Sequence, residues 1–332
     1  MQRIVPAAAI AALLMLAACG GDDSADTTSD ADNSDTDSAD GGDDGDLTPV
    51  NVGVIPIVDV APIYLGIEQG FFEEEGLEIT PVGAQGGAAI VPGVTSGEFQ
   101  FGFSNVTSLL IAGAQGLDLQ MVAPGNSSTG EVGEDFAAIV TNPDSGISSA
   151  ADLAGRTVAA NTLNNIVDST TRELVRQDGG DPSAIEFVEI AFPDMPGALA
   201  NGQVDAAFVL EPFLSMTLED GAVPIASPYA EVDPDLMIAA YFTSGQYAAE
   251  EPETVDAFVS AMEQSLAYAQ DNPEEARDVL GTYTEIDAEL RESLVMPRFE
   301  PEINVDTVQL LADLAEGDGL LDEPVDASEL VR

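Results

Sequence analysis

The 332-residue chain contains no His, no Trp and one Cys, and each of its eight basic residues is an Arg, so Lys is missing as well. Without His there is no imidazole base, no Ser-His triad and no imidazole-ligated metal. One Cys permits neither an internal disulfide nor a thiolate metal cluster. Against the 8 bases stand 61 acids, for a formal charge of −53. So negative a body repels phosphate backbones and anionic lipid faces, which excludes nucleic acid as a partner. The acids are spread along the chain, as suits a surface kept hydrated in concentrated salt, where repulsion is screened within ~3 Å at about 1 M. A partner or a calcium site is the other reading of the charge. Apolar material, by contrast, is present in ordinary amount. Hydrophobic residues make up 45%, enough for a globular chain, and the length suits about two domains.

Met1-Gln2-Arg3 gives a short positive start, and Ile4 to Ala18 is apolar apart from Pro6. That stretch is shorter than the ~20 residues that span a bilayer and ends in small residues, so residues 1–18 read as an export signal. Leu16-Ala17-Ala18-Cys19-Gly20 resembles the lipobox of bacterial lipoproteins. The resemblance implies cleavage before Cys19, lipidation of its sulfur and a membrane-anchored, extracytoplasmic protein. A buried or free thiol is the alternative for Cys19. Residues 19–46 hold eleven of the acids, all Asp, with no Arg and little apolar bulk. They read as an extended acidic tether. A calcium loop is the sharper reading of the same run, but the fixed Gly and terminal Glu of an EF-hand are absent.

From Leu47 onward, short β-branched and apolar runs alternate with helical patterns, which predicts an α/β architecture with mainly parallel sheets. Val50–Ile55, Leu77–Val82, Phe99–Phe103, Leu119–Val122 and Phe136–Val140 read as strands, with helices between them. A second cycle follows Pro143, with strands at Thr157–Ala160, Ile185–Ile190, Val204–Leu210 and Val223–Ile225. The chain turns back near Leu236 to Phe242 and is helical thereafter. In Pro252–Gln270, the residues Val255, Phe258, Val259, Met262 and Leu266 make the stripe of a core-facing helix. Two similar cycles predict two lobes, and ligands of such sheets bind outside the carboxyl ends of the strands.

Four segments carry a more specific signal: Ala61–Leu77 (APIYLGIEQGFFEEEGL), Ser96–Gly102 (SGEFQFG), Asp152–Ala159 (DLAGRTVA) and Ala198–Phe208 (ALANGQVDAAF) leading into Glu211-Pro212-Phe213. In order and spacing they resemble the solute-binding proteins of the nitrate, sulfonate and taurine class of ABC importers, which includes binders of thiamine-pyrimidine precursors. The likeness covers about Val50 to Asp271. It implies a two-lobed type II periplasmic-binding-protein fold, a cleft that closes on a small-molecule solute, and ABC permease subunits as partners. The lobes are then expected at residues 47–141 with 236–332, and at 142–235. A monomer without cofactor or metal is expected.

Five strand-end loops supply the cleft candidates. Asp59 and Tyr64 follow the first strand; a carboxylate and a phenol for the ligand compete with a solvated acid and a half-buried aromatic. Ser104 and Asn105 open a helix, where capping explains such residues as well as ligand contact does. Asn161, Asn164 and Asn165 offer more amides than one cap requires. Asp194 and Met195 supply an acid and an apolar wall, or a plain loop. Glu211 opens a helix, where its dipole already favours a carboxylate. None of the Arg residues lies in these loops; Arg172 and Arg176 are expected to face solvent, and Arg298, beside Phe299, is the one base whose neighbour has no surface explanation. The acids therefore point to a small polar organic solute with donor groups rather than to nitrate. An enzyme of the pyrimidine-synthase-like branch is the less favoured alternative: its chemistry relies on His and Cys, and carboxylate acid–base work has no fixed spacing here. A lipid-anchored sensor or scaffold is the third reading.

Overall fold

The structure, a computed structural model, describes residues 47–332; the expected export signal, Cys19 and the acidic tether lie outside them. Among the described residues ten strands run in chain order: β1 (Thr48–Val54), β2 (Leu77–Gly83), β3 (Phe101–Asn105), β4 (Leu119–Ser127), β5 (Ala137–Thr141), β6 (Thr157–Ala160), β7 (Glu186–Glu189), β8 (Ala206–Leu210), β9 (Val223–Ala226) and β10 (Met237–Ser244). They form two five-stranded sheets, of order β2-β1-β3-β10-β4 and β7-β6-β8-β5-β9. In the first, β1 runs parallel to β2 and β3, and β10 antiparallel to β3 and β4. In the second, β6 is parallel to β7 and β8, and β5 antiparallel to β8 and β9. Each sheet's antiparallel strand is the one that arrives from the other sheet. The chain thus crosses between the lobes once before β5 and once before β10.

The inner strands are apolar for a physical reason. β3, β5 and β8 are buried along their whole length, as strands with helices on both faces must be. Pro81, Pro124 and Pro224 lie on β2, β4 and β9, all of them edge strands, where a missing N–H costs no ladder bond. The helix Pro252–Asp271 packs most of its expected stripe inward: Val255, Phe258, Met262 and Leu266 are fully buried, Val259 is half-buried, and Phe258 stacks on Phe101 at 3.8 Å. The C-terminal helix Val305–Gly317 touches Val106–Ala114 of the first lobe and Ile166–Gln177 of the second. No helix among the described residues is long and apolar enough to cross a membrane.

One expected boundary moves. The sequence grouped Phe136–Val140 with the first lobe, but β5 is an inner strand of the second sheet. The crossover therefore precedes β5. An apolar run determines that a strand is buried, and says nothing about which of two sheets receives it. β4 also extends past Val122 to Ser127, with an irregular register opposite β10.

Candidate functional site

The strand-end loops of the two lobes meet. At the start of the helix Gly87–Ser96, a Cβ on Gly86 would fall 2.7 Å from Cγ2 of Thr162 in the second lobe. At the end of β1, the Val58 N–H reaches the Glu211 carbonyl at 3.5 Å. A cleft cavity of about 170 Å³ is lined from one side by Ile55, Ile57 and Gln85, and from the other by Phe192, Asp194 and Phe213. Beside it an opening of about 510 Å³ is lined by Pro56, Pro193, Phe213, Met216, Tyr283 and Ile286.

Two crossover segments close the back of the cleft, and one acid ties them. Asp135 is 5% exposed. It accepts from the Ser128 hydroxyl (2.7 Å), the Thr129 N–H (3.1 Å) and hydroxyl (3.1 Å), the Phe136 N–H (2.9 Å) and the Ala230 N–H (3.1 Å). Ser128, Thr129 and Phe136 belong to one crossover, while Ala230 precedes β10 on the other. Arg298 clasps the same pair from outside, donating to the carbonyls of Ser128 (2.6 Å) and Pro234 (2.8 Å). Its guanidinium thus holds backbone, and its neighbour Phe299 is a core residue, 2% exposed.

Facing Asp135 is Asp59, in the one-turn helix Val58–Val60 that follows β1. It is 2% exposed, and its Oδ2 has no well-shaped hydrogen bond among the described residues. Burial raises its carboxyl to about 7; its own backbone N–H and the Asn126 amide oppose the rise, and the Asp135 charge reinforces it. Asn126, near the end of β4, is 1% exposed, and neither its Oδ1 nor its Nδ2 forms a well-shaped hydrogen bond. The hydroxyl of Tyr241, on β10, is buried and equally unpartnered. Tyr64 stacks on Tyr283 at 3.9 Å with an interplanar angle of 11°, and the Tyr283 hydroxyl donates to the Ile57 carbonyl at 3.0 Å. Asp59 also acts on Tyr229, Tyr241 and Tyr283, raising the phenols further beyond what burial does.

The remaining candidates divide by what already occupies their polar atoms. Ser104 is fully buried beneath Gly87, where a Cβ would collide with its hydroxyl. Asn105 caps the helix Val106–Ala114, accepting from the Ser108 N–H at 2.9 Å and donating to the Ser108 hydroxyl at 3.0 Å. Asn165 accepts from the Val167 N–H (2.9 Å) and donates to Asn161 (2.9 Å) and Thr162 (2.9 Å), with Asp168 completing a capping box. Burial raises the Asp168 carboxyl to about 6 despite the Asn165 N–H and the Arg172 charge. Asn164 stands exposed in the left-handed region at φ 56°. Asp194 is exposed on the cavity, whereas Met195 is wholly buried at the start of its helix. Glu211 is 2% exposed; burial raises its carboxyl, opposed by the Ser215 N–H and hydroxyl at 3.0 and 2.8 Å and by the Val295 backbone.

Every Arg of the described residues is engaged. Arg156 faces Asp205, Arg176 pairs with Glu173 and Asp318, Arg298 with Asp235 and Glu300, and Arg332 with Asp256. Arg172, Arg277 and Arg291 donate to the carbonyls of Pro182, Leu294 and Ile286. Arg172 is also drawn over the Phe187 ring rather than out into solvent. The sequence reading missed Asn126, Tyr241 and Tyr283. The signal for Asn126 was Gly125-Asn126-Ser127-Ser128, a small polar run straight after an apolar strand. A phenol in an apolar strand such as Tyr241 reads as core.

A sequence model of the family described as NMT1/THI5 like matches residues 57–276. The chain is 22% identical over 302 residues to the putative aliphatic sulfonates-binding protein of Bacillus subtilis (strain 168), covering 87% of each chain. It is 22% identical over 223 residues to the formylaminopyrimidine-binding protein of Halalkalibacterium halodurans, covering 66% of this chain and 65% of that one. Among solved structures, the alkanesulfonate-binding protein SsuA from Xanthomonas axonopodis pv. citri, bound to MOPS, superposes with a TM-score of 0.74 at 19% identity. That match covers 87% of this chain and 99% of the other, and it is a likeness of fold.

Proposed function

The chain belongs to the NMT1/THI5-like family, and from that premise we propose that it is the extracytoplasmic solute-binding component of an ABC importer. It captures a small polar organic solute between its two lobes and hands it to the permease, without chemical conversion. Cys19 carries the lipid that holds it at the membrane, residues 20–46 keep the body clear of the surface, and the protein works as a monomer. Its acid excess serves a salty medium. The observation that carries the reading is the meeting of strand-end loops from both lobes, beside buried polar groups that have no well-shaped partner among the described residues. In support of it, Asp194 lines the cavity there, Asp59 follows two residues after Ile57, which lines it from the other side, and Tyr64 stacks on Tyr283.

The relatives named above bind sulfonates in one case and a formylaminopyrimidine in another, so likeness leaves the solute open. The test is a thermal-shift screen of the purified chain in molar salt against sulfonates, nitrate, amines, amino acids and pyrimidines. A ligand at one hundred times its Kd adds about 2.7 kcal/mol. One class that stabilises and compacts the protein in small-angle scattering supports the reading. No binder in any class returns the sensor or scaffold, and turnover of a bound pyrimidine returns the enzyme.

A further inference from the structure

We propose that Asp59, Asn126 and Tyr241 form the anchoring end of the solute site and select a solute that presents a positively charged nitrogen or a planar amidine-type N–H edge. This rests on the solute-binding reading and narrows it. A carboxylate only accepts hydrogen bonds, whereas an amide and a phenol both donate and accept. Four polar atoms in this cluster, Asp59 Oδ2, Asn126 Oδ1 and Nδ2 and the Tyr241 hydroxyl, are buried and form no well-shaped hydrogen bond among the described residues, the Asn126 amide reaching the Asp59 carboxyl only imperfectly. Buried polar atoms in folded proteins nearly always have a partner, and one left alone is destabilising. All four lie near the crossovers: Asp59 is in the one-turn helix that follows β1, Asn126 leads into one crossover, and Tyr241 is on the strand that returns from the other.

The sign of the missing group follows from the charges. Asp59 faces a second carboxylate, Asp135, and every Arg of the described residues is engaged elsewhere. The chain has neither Lys nor His to supply a cation. Nitrate or a sulfonate would bring negative charge against Asp59 with one amide and one phenol as its donors, an uncompensated burial. A nitrogen cation reverses the sign, and an amidine edge adds two parallel N–H groups to one carboxylate, the strong bidentate geometry. The remaining N–H or ring nitrogen meets the Asn126 amide. The stacked Tyr64–Tyr283 pair beside Asp59 offers aromatic faces to a flat or cationic group. The cleft cavities approach this cluster at Ile57 and Tyr283, which are themselves hydrogen-bonded.

The experiment is a thermal-shift and titration series on the purified full chain at pH 8, with acetamidinium, 4-aminopyrimidine, ethanesulfonate and nitrate as probes. The proposal expects one or both nitrogen donors to bind, the two anions not to bind, Asp59→Asn to weaken the donor at least 100-fold and Asn126→Ala at least 10-fold. Binding of ethanesulfonate or nitrate in preference overturns the proposal and leaves the solute-binding reading standing. So does an unchanged donor affinity in Asp59→Asn. Should Asp59→Asn fail to fold, Asn126→Ala and Tyr241→Phe decide the matter, and unchanged affinity in both overturns it. If none of the four probes binds, the wider solute screen takes over. A binder there without an N–H donor overturns this proposal alone, and no binder at all overturns both.

Discussion

Asp135 and Asp59 are the same residue type, almost equally buried, and they face each other across the seam between the lobes. Their surroundings differ completely. Asp135 accepts five hydrogen bonds from Ser128, Thr129, Phe136 and Ala230, so its charge is spread over both crossover segments. Asp59 keeps an unpartnered oxygen, and burial pushes its carboxyl to about 7. A buried carboxylate is expensive unless its lone pairs are met. The crossover has met that cost from within the chain; the turn after β1 has left it to something that arrives. The difference separates the fastener of the two-lobed fold from the group offered to a solute.

The sharpest way to break this contrast is to remove the fastener. Asp135→Ala strands five buried or half-buried donors at once, each worth on the order of 1–3 kcal/mol. The expected loss is about 3–5 kcal/mol in chemical denaturation, partly relieved by water entering the gap. A loss under about 1 kcal/mol would mean that the crossovers do not depend on this acid and that the contrast is false.

Asp59 gives the opposite outcome, with a sign set by its raised pKa. Its folded value is about 7 against an ordinary 3.8. The folded chain therefore holds a proton that the unfolded chain has released between pH 4 and 7. Stability from this group is full below pH 4, falls as pH rises through that window, and is lowest above about pH 7. The three-unit shift corresponds to at most about 4 kcal/mol. The groups that face Asp59 are Asp135, Asn126, Tyr229, Tyr241 and Tyr283, and the phenols are pushed above their ordinary range, so they stay silent here. Asp59→Asn is thus expected to stabilise the unliganded protein at pH 8 by about 2–4 kcal/mol and to leave it unchanged at pH 4. Glu211 also has a raised carboxyl and contributes the same slope in both proteins. Denaturation midpoints of the two at both pH values settle it; stabilisation equal at pH 4 and 8 would show that Asp59 does not titrate there.

How far the sequence carried is clearest at particular residues. The stripe of Val255, Phe258, Met262 and Leu266 became the buried face of its helix because helical spacing encodes burial directly. The sheet that receives β5 is decided by partners far along the chain, at Ala206–Leu210 and Val223–Ala226, and no local pattern contains that. The same holds for the site. Asp59 was legible as an acid after a strand. Its meaning depends on Asn126, Tyr241 and Tyr283, which are brought to it by a long strand, a crossover return and a C-terminal loop.

Asn105 and Asn165 offer the finest version of the contrast, since both caps were also candidates for the cleft. Asn105 spends its whole amide on Ser108, one turn away. Asn165 spends only its oxygen on the helix; its nitrogen bridges to Asn161 and Thr162 in the loop that meets Gly86 of the other lobe. Losing a cap costs about 1 kcal/mol. Asn105→Ala should therefore cost about 1 kcal/mol in thermal unfolding, and Asn105→Asp should restore it, with solute affinity unmoved in both. Asn165→Ala should cost somewhat more, and Asn165→Asp should recover only the cap's share, because a carboxylate cannot donate to Asn161 and Thr162. If the Asp variants recover equally, the nitrogen of Asn165 carries nothing and the loop meets the first lobe unaided. If only Asn165→Asp also weakens the solute, the bridge holds the second lobe's loop in the shape that closes the cleft, and the two asparagines part company as the two aspartates do.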